Sequence, residues 1–103
     1  MNEKELYELL QELNIPVAYN HFVAEDNITP PFILYRNDTA NNLKADDKTY
    51  FKQHEYIIDL VTDTKDTVKE GLLEDLLDNN NVPYDKEEDY IEGEKIYQIR
   101  YFI

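Results

Sequence analysis

The segment Tyr56–Thr62, YIIDLVT, limits what this chain can fold into more than any other. It closes the longest strand signal in the sequence, Thr49 to Thr62. Side chains alternate across a strand, so Tyr56, Ile58 and Leu60 share one face while Phe51, Ile57 and Val61 share the other. Both faces turn apolar toward the C-terminal end, and that end must be covered on both sides. The chain is therefore expected to build a sheet around this strand. Tyr50 to Glu55 is more polar and is expected to project beyond the core.

The flanking segments supply the other elements. Leu6, Leu9, Leu10 and Leu13 recur at helical spacing, with Glu5, Glu8 and Glu12 on the opposite side. Asn2 with Glu5 three positions later reads as a capping box, and Asn14 followed by Pro16 ends the helix. Ile15 to Phe22 and Phe32 to Arg36 read as strands, separated by a turn from Glu25 to Pro31. Residues 37–48, rich in Asn and Asp, read as a mobile hairpin loop.

A second helix is expected from a cap at Asp63 or Thr64 to about Asp78. Its stripe is Val68, Leu72 and Leu76, widened by Leu73 and Leu77 beyond the ~100° of arc that one contact needs. The excess has two readings: the helix is wedged between the sheet and the first helix, or the Leu73–Leu77 edge meets another subunit. Gly71 in mid-helix costs about 1 kcal/mol relative to Ala, which suggests a close backbone approach. Pro83 to Tyr90 and Lys95 to Ile103 read as a hairpin around Glu92-Gly93-Glu94. The odd positions Tyr97, Ile99, Tyr101 and Ile103 are expected to be buried. The preceding strand carries Asp85, Glu87, Glu88 and Asp89 and fits an exposed edge. The expectation is a single α+β domain over residues 1–103, with two helices packed on one mostly antiparallel sheet in the order α-β-β-β-α-β-β.

Composition narrows the chemistry. The chain has no Cys and no Ser, which removes disulfides, zinc–thiolate sites and serine or cysteine hydrolase chemistry. His21 and His54 lie on different expected strands, without the spacing of a metal motif. Asp46-Asp47 and Glu87-Glu88-Asp89 lack the alternating ligands and central Gly of a calcium loop. With only Gly71 and Gly93, there is no phosphate-cradling loop. The expectation is a non-enzymatic protein with no catalytic residue, no cofactor and no metal. No signal-peptide pattern occupies the first fifteen residues, and no apolar run reaches the ~20 residues of a membrane span.

The net charge is −13, from 23 acids against 10 bases. The excess is concentrated between Thr62 and Glu94. Such a field repels phosphates, so direct nucleic-acid binding is not expected. Three readings follow: a charge that keeps the protein soluble, a pore wall to which DNA must not stick, or a surface that mimics DNA. Nine Tyr and four Phe are a large share of so short a chain. Tyr serves as strand filler and also suits interfaces that are wet in one state and buried in another. A docking site would present acids and tyrosines to a basic partner. The interface candidates are Asp46, Asp47, Tyr50, Phe51, Leu73 and Leu77.

Four segments, LNIPVAYNHF, PPFILYR, LKADDKTYFKQHEYIIDLVTDTKD and VPYDKEEDYIEGEKIYQIRYFI, carry a resemblance that extends from Leu6 to Tyr101. They resemble small tail-completion or tail-terminator proteins, also labelled head–tail joining or minor capsid proteins, of long-tailed phages and prophages of Gram-positive bacteria. The resemblance implies a virion neck subunit assembled in the host cytoplasm. It implies a ring, commonly a hexamer, whose subunits can be monomeric until they meet the tail tube. The ring stops tube polymerisation and faces the head connector or stopper, and DNA passes through its lumen without specific binding. The flexible loop and the projecting Tyr50–Glu55 segment would then order on docking. The rival expectation is an acidic DNA mimic that inhibits a host DNA-binding enzyme. A generic bacterial adaptor domain is the third.

Overall fold

The computed structural model describes residues 1–23, 26–38 and 55–103. Among them the elements run α1 (Glu3–Gln11), β1 (Val17–Tyr19), β2 (Phe32–Asn37), β3 (Tyr56–Thr62), α2 (Thr67–Asn79), β4 (Asp85–Ile91) and β5 (Ile96–Phe102). This is an α+β fold in the expected order. The five strands form one sheet, β1-β2-β3-β5-β4. Only β1 and β2 are parallel; the other neighbours are antiparallel.

The first helix starts as its sequence dictates. Asn2 Oδ1 accepts from Glu5 N–H at 2.8 Å, and Glu5 Oε1 accepts from Asn2 N–H at 3.0 Å. These bonds satisfy two amide groups at the helix start. The chain leaves α1 through Asn14, at φ 56°. The strand expected over Ile15–Phe22 shrinks to three residues. Pro16 has no N–H to give a ladder, and Asn20 turns the chain at φ 66°.

All seven residues of β3 are buried. On one face Tyr56, Ile58 and Leu60 join Ile33, Tyr35, Ile99 and Tyr101 against Leu6 and Leu10 of α1 and Leu73 and Leu77 of α2. Both helices thus lie on the same face. Ile57, Asp59 and Val61 point the other way and are also buried. The edge assignment holds: β4 is outermost, exposed from Asp85 to Tyr90.

Four expectations need correction. The cap of α2 is Asp66, which accepts from Lys69 N–H at 3.0 Å, because Asp63–Lys65 make the turn from the sheet to the helix layer. The buried side of α2 is also rotated from the expected stripe. Leu73 and Leu77 are fully buried in the core, so neither is open to another subunit, while Val68 and Leu72 are 71% and 50% exposed. Glu70 shares the inward side because Lys65 and Lys86 pair with it. Asn37 belongs to β2, opposite Tyr56, and Asp38 N–H donates to the Glu55 carbonyl, so Asn37 extends the strand and is not part of a loop. Finally, a Cβ on Gly71 would meet nothing within 4 Å, so no backbone approaches it closely.

Gly71→Ala is therefore expected to raise unfolding free energy by about 0.5–1 kcal/mol, through helix propensity alone. Leu77→Ala should lower it by about 2–5 kcal/mol. Urea denaturation of the two variants checks both signs; a destabilised Gly71→Ala would show a constraint not visible in the packing.

Candidate interaction surface

The helix-free face of the sheet is built by alternation. Phe32, Leu34 and Arg36 of β2, Ile57, Asp59 and Val61 of β3, and Gln98, Arg100 and Phe102 of β5 turn away from the helices. Asp85, Glu87 and Asp89 of β4 extend these rows, because they lie opposite Phe102, Arg100 and Gln98. One row crosses the sheet as Glu87, Arg100, Asp59 and Leu34.

At its centre Arg100 Nε donates to Asp59 Oδ1 at 2.9 Å. Asp59 is 7% exposed, so the pair is sheltered. The bond to Asp59 holds the guanidinium above its ordinary value against the opposing effect of burial, and Glu87 and Asp89 add attraction. A hollow of about 390 Å³ opens beside it, lined among the described residues by Glu87, Glu88, Asp89, Gln98 and Arg100. It brings Glu87 and Asp89 to a guanidinium already engaged by Asp59, while Glu88 on its rim turns to Lys65. Farther along, Phe22 packs edge-to-face on Phe32, with centroids 5.5 Å apart.

The helix-side border of the same edge strand is different. Lys86 Nζ reaches Glu70 at 3.0 Å and Glu74 at 2.7 Å. Lys65 pairs with Glu70 and with Glu88. The buried Tyr101 hydroxyl donates to Glu74 at 2.8 Å, and burial followed by that bond pushes the phenol far above its ordinary range. Burial pushes the Glu74 carboxyl up, but its bonds with Lys86 and Tyr101 outweigh burial and leave it below its ordinary 4.5. The network ties α2 to β4 and β5 and is structural.

Tyrosines gather at another corner. Tyr35 lies 6.1 Å from Tyr7 and 5.2 Å from Tyr19, centroid to centroid. The Tyr19 hydroxyl accepts from Asn37 N–H at 3.2 Å. Burial, then Glu3, raises the Tyr35 phenol; burial, then Glu55, raises Tyr56. Tyr7 and Tyr19 remain 40% and 42% exposed.

Of the interface candidates, Asp46, Asp47, Tyr50 and Phe51 lie outside the described residues, as do His54 and residues 39–48 of the expected loop. Leu73 and Leu77 lie in the core. His21 is exposed. Among the described residues no three His, Asp or Glu side chains gather as a metal site. The Asp59–Arg100 pair and the Lys86 network were not anticipated from sequence. A signal for the first existed: an acid within an apolar strand, and the one base of β5 to match it across an antiparallel register.

No family model matches the chain, and neither a curated protein nor a solved structure matches it.

The depressed Glu74 value gives a pH dependence with a definite sign. The folded carboxyl binds its proton less readily than the unfolded one, so its contribution is complete above about 4.5 and is lost as pH falls through the lower folded value. Melting curves between pH 6 and about pH 2 should fall more steeply for the wild type than for Glu74→Gln. Parallel curves would remove Glu74 from the acid transition.

Proposed function

We propose that this chain is a non-enzymatic structural subunit of the neck of a long-tailed phage or prophage. It would form a ring that terminates the tail tube and meets the head connector. The observation that carries the reading is the one-sided layering of the sheet. Among the described residues both helices cover one face, and the other presents half-buried Phe32, Leu34, Ile96 and Phe102 among charged groups. A sheet with one face free of helices and a long open edge, among the described residues, is suited to neighbours of its own kind or others. The exposed Tyr7, Tyr19 and Tyr90 fit surfaces that pass from wet to buried. The resemblance of the four segments supplies the identity of the assembly, and the −13 charge suits a lumen along which DNA slides.

One observation favours a second reading. Asp85, Glu87 and Asp89 form a straight row of carboxylates along an exposed strand, as a mimic of a phosphate backbone would require. Potent competition with DNA for a restriction or repair enzyme would favour that inhibitor.

Purified virions decide between them. Mass spectrometry should find the chain in intact particles, and gold-tagged antibody should label the head-proximal end of the tail. Deleting the gene should yield overlong tubes and unjoined heads. Absence from virions, with normal particles from the deletion, would overturn the neck assignment.

A further inference from the structure

The sheet ends on a strand whose charge pattern selects what can be added to it. β4 is seven residues long, and among the described residues nothing pairs with its outer side. In an antiparallel ladder every second residue turns its N–H and C=O away from its partner, so β4 offers a row of backbone donors and acceptors to an incoming strand. Its side chains bias the choice. Glu87 and Asp89 project from the helix-free face about 6.8 Å apart, the spacing of alternate residues in any added strand. Arg100, their nearest cation, is already held by Asp59. Lys86, the base of β4, is drawn under α2 by Glu70 and Glu74.

A second copy of the same edge is a poor occupant. Added antiparallel with Glu87 at the centre, it sets Glu87 against Glu87 and Asp85 against Asp89, and the Lys86 that would face Glu88 is engaged by Glu70 and Glu74. Shifted to Glu88, it sets Glu88 against Glu88 and Glu87 against Asp89. Like charges directly opposite one another destabilise a pair of strands. A strand with Lys or Arg at alternate positions meets the reverse situation, with a cation facing each carboxylate. The hollow beside Glu87, Asp89 and Gln98 leaves room for those long side chains.

We propose that β4 is a docking edge for an extended basic segment of another protein, which adds to the sheet as a sixth strand. The inference holds whatever assembly the chain serves and does not rest on the neck assignment. Ladder bonds provide the attachment and the carboxylates choose the partner.

The full chain tests it with two nine-residue peptides of equal charge, one alternating Lys and Thr, the other alternating Lys and Pro. Proline cannot donate to a ladder. The Lys–Thr peptide should bind at least about tenfold tighter, the equivalent of one or two net hydrogen bonds. It should also slow hydrogen exchange at alternate amides of β4. A Glu87→Lys/Asp89→Lys chain that keeps its circular dichroism should lose that binding and accept an alternating Glu–Thr peptide. Equal binding of the two basic peptides, protection that falls elsewhere, or no binding at all would overturn the proposal.

Discussion

Two carboxylates on the inward side of α2 organise much of this molecule. Glu70 is 4% exposed, which an acid tolerates only when it is paired. Lys65 and Lys86 provide the pairs, and Glu74 adds a second bond to Lys86 and one from Tyr101. A buried network of this kind contributes little net stability, since desolvation offsets most of the attraction. Its effect is on orientation. With Glu70 and Glu74 seated over β5 and β4, Leu73 and Leu77 point into the core, and Val68 and Leu72 are carried to the surface. The same bonds withdraw Lys86 from the outer strand and leave that edge acidic.

The layout of the fold was legible in the sequence because its signals were redundant. β3 announced itself by being apolar on both faces, and α1 by a leucine stripe with a cap at its start. The acids of β4 marked an edge. The rotation of α2 was hidden for a physical reason. Acids on a helix ordinarily mark the solvated side, and here two of them mark the buried side, because their lysines arrive from a turn and from a strand on the far side of a hairpin. Gly71 misled in a similar way: a glycine that costs stability invites a packing explanation, and none exists. The candidate surface was only partly legible. Its acids could be read directly, but their relation to Arg100 and Gln98 depends on the β4–β5 register, which fixes who faces whom. Four candidates, Asp46, Asp47, Tyr50 and Phe51, lie outside the described residues.

The charge of the chain acquires a geometry in this fold. Glu87 and Asp89 of β4 line the outer border on the helix-free face, while on the other face Glu70, Glu74 and Glu88 pair with Lys65 and Lys86. Part of the acidic excess therefore lies along an edge and beside one hollow. A field arranged in this way orients an approaching partner as well as attracting it.

The positions where the backbone turns left-handed hold a further consequence. Among the described residues they are Asn14, Asn20, Asn27, Asn81 and Lys95, at φ between 50° and 66°, and neither glycine is among them. In the last hairpin the glycine sits at position 93 while Lys95 carries the positive φ. An asparagine, and still more a lysine, reaches that region at a cost that glycine escapes. Four of these corners fall on asparagine, which visits the region more readily than other side chains, so the local sequence itself favours the bend there. Lys95 is the exception, a conformation its own side chain does not favour, and the pairing of β4 with β5 on either side of the turn holds it.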